Sequence, residues 1–408
     1  MAVEMTAGER VSTTRADTPW AAVACLSLLT FLLVGLEFLP VSLLTPIAQD
    51  LKITEGQAGL AITVSGFFAV ATSLFGNGLL ARADRKWVVL IYTAILTASS
   101  LIVAVAPNFA IFLIGRALVG IAIGGFWSLS TAILARLASA SELPNAIALL
   151  QGGTAFAIVI APPIGSFLGG LIGWRGTFLV TVPIGLGAFV WQMLILPRLP
   201  ATETVSAGRM VGLLRNRTFI VGMAATCLVF MGMNALSIYL RPFLEGVTSV
   251  GLNSLSLMLL GVGLGGLAGT SLIGFVLRRH LATALVGMPG VVALIALLLI
   301  GLGSSPWATA VLLVLWGFFS TPVPVAWNTW MAKLVPNELE AAGGLQVALI
   351  SASRAERSQA ASSSTQSDGG ARSSWLPSFF PAQPPWARSP TAESDLRCKP
   401  WRTSCFRA

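Results

Sequence analysis

The chain has 408 residues, 55% of them hydrophobic and only 10% charged, with a mean hydropathy of +0.83. A soluble domain carries roughly 25% charged residues, so this composition excludes an ordinary soluble protein and points to one solvated by lipid. The net charge of +9 does not indicate a nucleic-acid partner, because the last 55 residues alone, with eight basic and four acidic side chains, supply +4 of it.

Residues 1–19 read as a cytoplasmic N-terminus. The first apolar run, from Trp20, is long enough to span and precedes no mature soluble domain, so it reads as a first span rather than a cleaved leader. Runs near the roughly 20 residues a bilayer requires lie at about 20–44, 58–80, 87–106, 109–135, 146–172, 177–197, 218–240, 254–277, 281–302 and 307–331. With the N-terminus inside, the cytoplasmic segments before the tail hold thirteen basic residues, from Arg10 to Lys333, against Lys52, Arg175 and Arg241 outside. That asymmetry is a positive-inside bias, and the sole histidine, His280, belongs to one of the basic loops.

The long polar stretch "RLPATETVSAGRMVGLLRNRTF" follows the sixth span. It reads as a cytoplasmic linker, 198–217, between a first bundle, 20–197, and a second, incomplete bundle, 218–350. The halves echo each other: the second span of each ends in a basic loop, "RADRK" at 82–86 and "RRH" at 278–280. Internal repeats of this kind place a substrate path near the midplane between two bundles. Cys25 and Cys227 lie in apolar runs and Cys398 and Cys405 in the tail, without the spacing of a metal site or a disulfide framework. No metal and no cofactor are expected.

An eleventh helix begins at "AAGGLQVALI", 341–350, and stops too short to span. From Arg354 onward there is no Val, Ile or Met, and Ser, Arg, Pro and Trp dominate. We read 351–408 as the product of a reading-frame shift that replaced the rest of helix 11 and all of helix 12, in preference to a genuine polar, disordered tail.

Several stretches carry a resemblance: "LEFLPVSLLTPIAQDL" at 36–51, "LIGRALVGIAIGGFW" at 113–127, "APPIGSFLGGLIGWRGTF" at 161–178 and "PVPVAWNTW" at 322–330. They resemble the major facilitator superfamily from about Trp20 to Ile350, and within it the drug:proton antiporters of twelve helices, most closely exporters of purine ribonucleosides. The resemblance implies an all-α membrane protein of two six-helix bundles related as inverted repeats, here with helix 11 incomplete and helix 12 missing. It also implies a multi-pass monomer of a bacterial inner membrane that moves a small molecule against protons, with no nucleic-acid partner. The helix 4 motif of that family, Arg followed four residues later by Gly, is met by Arg116 and Gly120. The helix 5 antiporter motif appears as Ala161-Pro162-Pro163-Ile164-Gly165. In the loop after helix 2, Asp84, Arg85 and Lys86 match the end of the family motif, but its usual Asp is Ala81; Asp84 is the candidate to stand in for it in a conformational latch.

Across the ten spans two ionisable side chains lie deep in apolar surroundings, Glu37 in the first and Arg116 in the fourth. Glu37 is seven residues before Leu44 and Arg116 seven after Phe109, so both lie about 10 Å beneath the outer face, where they can pair. Proton-coupled efflux needs an acid whose affinity for a proton depends on conformation. A Glu–Arg pair that forms in one state and loosens in another has that property, whereas a static ion pair is the structural alternative.

Pro162 and Pro163 remove two helical donors, and Gly165 with Gly169 allows a neighbouring helix to approach; together they suggest a gating hinge or an ordinary kink. "GVGLGGLAG" at 261–269 looks like a dinucleotide loop but lies inside a span with no strand before it, so helix packing is expected. Phe126, Trp127, Gln151, Asn234, Tyr239, Trp327, Asn328 and Trp330 are candidates to stack on and hydrogen-bond a purine, although aromatics in membrane helices more often pack or sit at the interface. The function expected is proton-coupled export of purine ribonucleosides. General drug or sugar transport by the same fold, or a non-transporting remnant, are the alternatives.

Overall fold

A computed structural model describes residues 18–80, 82–201 and 212–350. Residues 1–17, Ala81, residues 202–211 of the linker, the tail 351–408 and the side chain of Tyr239 lie outside the described residues. Among the described residues there is no strand.

The chain runs α1 (Trp20–Ser42), α2 (Leu44–Asp50), α3 (Glu55–Ala71), α4 (Asn77–Leu79), α5 (Arg85–Ala104), α6 (Phe109–Leu137) and α7 (Leu143–Ile195) through its first half. The second half holds α8 (Arg217–Gly246), α9 (Leu252–Leu302), α10 (Pro306–Ser320), α11 (Val323–Leu334) and the short apolar α12 (Leu339–Ile350). The long helices α7 and α9 are each two spans, turned at Gly173, with φ 73°, and at His280, with φ −126° and ψ 41°. With α3 and α4 joined through a π turn at Thr72–Gly76, and α10 with α11 as one span, ten crossings are accounted for.

Local sequence fixes the starts. The Thr54 hydroxyl and Gln57 side chain form a reciprocal capping box, and the side chains of Asp84, Asn108 and Asn216 accept from backbone N–H groups of α5, α6 and α8. Each cap satisfies a backbone N–H that the first turn leaves without a helical partner, and so marks where these four spans begin.

Glycines set the closest helix contacts. A side chain at Gly265 or Gly269 would strike the backbone of Val314 or Phe318, and one at Gly317 that of Val262. The "GVGLGGLAG" stretch is therefore a packing seam between the eighth and tenth spans, as expected.

The apolar core is distributed unevenly between the two ends of the bundle. One buried cluster holds the first half from end to end and takes in Ile273, Leu277, Ala284, Met288, Val323, Val325, Ala326 and Trp327 of the second half. A smaller one joins Ala132 of α6 to Phe219, Met223, Met331, Leu339 and Ala342. All these second-half residues lie toward the ends that carry the basic loops. At the opposite ends, Leu240, Leu244, Met258, Leu299 and Trp316 form a cluster made of second-half residues alone. The two halves thus share a core near the basic face and have separate cores at the other.

Candidate functional site

Arg116 is completely buried on α6. Its Nη1 donates to the Leu36 carbonyl at 2.8 Å, while Nη2 reaches the Glu37 carbonyl at 3.4 Å and the Ser65 hydroxyl at 3.5 Å. Pro40 explains the strongest of these bonds. The residue four beyond Leu36 would normally donate to its carbonyl, and proline has no N–H to give. An unpaired carbonyl in lipid is costly, and the guanidinium takes it.

Gly120 explains Ser65. A side chain at Gly120 would collide with the Ser65 backbone, so its absence lets α3 lie against α6 one turn from Arg116. The Arg-x-x-x-Gly spacing is therefore one device: glycine admits the helix that carries the hydroxyl, and arginine uses it. Glu37 is half-buried on the same turn of α1, within electrostatic reach of the guanidinium. The structure brings Glu37 and Arg116 together at one depth, as their positions in the sequence suggest.

The hinge residues meet the same part of α1. Side chains at Gly165 or Gly169 would strike Leu39 and Ser42, or Leu43. The helix that approaches the Pro162-Pro163 segment is thus the first span, at its own proline. Helical geometry continues through Pro162 and Pro163, and the only non-helical residue of α7 is Gly173.

Two ion pairs tie the halves at the basic face. Arg85 donates from Nε and Nη2 to the two oxygens of Glu340, each at 2.6 Å, and is itself almost fully buried. Its Nη1 also holds the carbonyls of Leu80 and Ala83. Arg278 reaches Glu142 at 2.7 Å, with Asn145 donating to the same carboxylate oxygen. Asp84 does not stand in for the missing loop aspartate in this contact. It caps α5 through the Lys86 N–H and accepts from Leu199 N–H, both at 2.9 Å, while Arg85 N–H donates to the Leu199 carbonyl. The link between halves at this loop is carried by Arg85.

The aromatic and amide candidates separate into groups. Phe126 is fully buried against Trp127, ring centroids 6.1 Å apart. Trp330 packs edge-on to Trp327 at 5.6 Å and covers Gly222 of α8. Asn234 is half-buried on α8; Gln151, Trp327 and Asn328 are each 7% exposed. The Gln151 amide oxygen and the Trp327 indole nitrogen are buried without hydrogen-bond partners, as are the hydroxyls of Thr154 and Thr270. These two threonines went unread in the sequence, because threonine in a membrane helix ordinarily bonds the carbonyl one turn back.

On the far face, Asp50 accepts from the Trp174 indole N–H at 3.0 Å and pairs with Arg175, which also donates to the Ala106 carbonyl at 2.8 Å. These contacts tie three loops of the first half together at that end.

Comparison with known proteins accords with this arrangement. Residues 26–355 match the Major Facilitator Superfamily. The chain is 48% identical over 335 residues to a Pseudomonas aeruginosa protein named transcription regulatory protein OpdE, spanning 81% of this chain and 83% of that one. It is 40% identical over 331 residues to the purine ribonucleoside efflux pump NepI of Salmonella typhimurium, with the same coverage of 81% and 83%. Among solved structures, the human organic anion transporter MFSD10 superimposes with a TM-score of 0.68 at 18% identity, covering 85% of this chain and 93% of that one. The proton:xylose symporter XylE gives 0.65 at 14% identity, covering 86% and 90%.

Proposed function

This chain belongs to the major facilitator superfamily, and from that premise we propose that it is a proton-coupled exporter of purine ribonucleosides. The proposal places it in a bacterial inner membrane with the N-terminus and the basic loops in the cytoplasm, as the positive-inside asymmetry supports. The observation that carries the coupling is the buried Arg116, fixed by carbonyls of the first span beside Glu37. The guanidinium so held stands beside a half-buried carboxyl, and the separation of the two groups changes when α1 moves against α6. Glu37 is the proton carrier, Arg116 its partner, and Pro162, Pro163 and Gly165 the segment over which α7 shifts against α1.

Likeness to a purine ribonucleoside efflux pump supports the substrate class, and the aromatic and amide side chains of spans 4, 5, 7 and 10 suit a flat, polar base. Cells expressing the protein should gain resistance to toxic purine nucleoside analogues and none to unrelated lipophilic cations. Resistance to the cations instead would place it among general drug exporters.

The relative named as a transcription regulatory protein favours a second reading, in which movement of a solute by this chain alters transcription elsewhere. Under it, the Glu37→Gln protein, which no longer couples, should lose the transcriptional effect together with transport.

A further inference from the structure

The third span, α5, and the sixth, the part of α7 after Gly173, lie antiparallel in the first half. Two contacts fix their register: a side chain at Gly185 would strike Thr97, and the Thr93 hydroxyl donates to the Gln192 side chain at 2.7 Å. Beside this line lies a groove of about 320 Å3, walled by Ala94, Ala98 and Leu101 of the third span and by Val182, Leu186 and Phe189 of the sixth. Thr97 also lines it, but its hydroxyl already donates to the Thr93 carbonyl at 2.8 Å. The third span packs on α1, α6 and α7, and the stripe Trp87, Ile91, Ala94, Ala98, Leu101 and Val105 stays exposed along its whole length. In a chain of this composition, an exposed apolar stripe running the length of a span meets lipid.

Arg175 closes the end of the groove remote from the basic loops. It shares a stripe of the sixth span with Val182, Leu186 and Phe189, and lies seven residues, about 10 Å, outward of Val182. Its guanidinium donates to the Ala106 carbonyl at 2.8 Å, one residue past the last exposed position of the third span. The Thr97–Gly185 contact gives the same match, since ten residues along each helix set Arg175 opposite residue 107. Arg175 lies 4.3 Å over the Trp174 ring and pairs with Asp50, which also accepts from the Trp174 indole at 3.0 Å. The two charged side chains are 39% and 45% exposed, so both remain open to a further partner at the membrane surface.

We propose that this groove and ion pair seat one zwitterionic phospholipid of the leaflet opposite the basic loops. An acyl chain lies between Ala98 and Leu186, the phosphate meets Arg175 and the amine meets Asp50. Lipid tails are as apolar as the groove walls, so the chain gains no hydrophobic free energy by entering. It supplies the van der Waals contacts that the small side chains at Ala94 and Ala98 leave unmade. The preference for one lipid comes from the headgroup. A guanidinium holds a phosphate through charge-assisted hydrogen bonds, and the neighbouring carboxylate takes the ammonium of the same headgroup. A headgroup with both signs matches an ion pair with both signs, whereas an anionic one brings its charge up to Asp50 with no amine to offset it.

The test is native mass spectrometry of the purified full-length chain, titrated with a phosphatidylethanolamine and, separately, with a phosphatidylglycerol of the same acyl chains. Wild type should hold one phosphatidylethanolamine about tenfold more tightly than phosphatidylglycerol. Ala98→Phe, which fills the groove from an exposed position, should lose this tight site, and Leu186→Trp should do the same from the opposite wall. Arg175→Gln should bind phosphatidylethanolamine about tenfold more weakly and lose the preference. Ile91→Phe, on the same stripe but outside the groove, should bind as wild type does. The thermal midpoint of Ala98→Phe without added lipid should match wild type, while the rise produced by phosphatidylethanolamine is lost. A tight site retained in both groove variants, or equal binding of the two lipids by wild type, would overturn the proposal. A dimer that Ala98→Phe abolishes would put a second copy of the chain on this face and overturn it too.

Discussion

At the residue scale the central relation is among Pro40, Leu36 and Arg116. A helix-interior proline leaves the carbonyl four residues earlier without its donor, and here a side chain 80 positions away supplies the replacement. Removing either partner alone has a different effect from removing both. Arg116→Leu leaves the Leu36 carbonyl unpaired, but in a Pro40→Ala background the new N–H serves it. The cost of Arg116→Leu should therefore be smaller by about 1 kcal/mol in that background, a coupling measurable by thermal denaturation of the four proteins in detergent. Strict additivity would show that the carbonyl is not what holds the arginine. The depth match of Glu37 and Arg116 was legible in the sequence, because an ionisable group in an apolar run stands out and helical rise converts position to height. The role of Pro40 was equally available, as a spacing of four, but only once Leu36 was known to be the acceptor.

At the element scale, the approach of helices is governed by which positions lack a side chain. Gly120 admits α3, Gly165 and Gly169 admit α1 to α7, and Gly265 and Gly269 join the eighth and tenth spans. Gly120→Val drives a branched side chain into the Ser65 backbone, where no flexible group can yield. It should cost at least about 1–3 kcal/mol in thermal stability, whereas Gly59→Val on the same pair of helices, where a side chain meets open space, should cost far less. The spans themselves were readable from apolar runs, including the two turns at Gly173 and His280 that helical continuity obscures. The Arg85–Glu340 and Arg278–Glu142 pairs were not, because their partners are 255 and 136 residues apart and every basic loop looks alike to a charge count.

At the scale of the whole molecule, shared core and ion pairs join the halves at the basic face, while the opposite ends keep a core of their own. In the proposed transport cycle this is one of two arrangements, the other open at the basic face. The proposed coupling asks that α1, carrying Glu37, move against α6, carrying Arg116, when that face opens, so that proton binding and closure of the basic face share a common free energy. The most direct test is adenosine accumulation in everted membrane vesicles under an imposed pH gradient, acidic inside. Wild type should accumulate adenosine until a protonophore collapses the gradient, and Glu37→Gln, present in the membrane in equal amount, should show none of the gradient-driven component. Undiminished accumulation by Glu37→Gln would contradict the account and leave Glu37 as a static partner of Arg116.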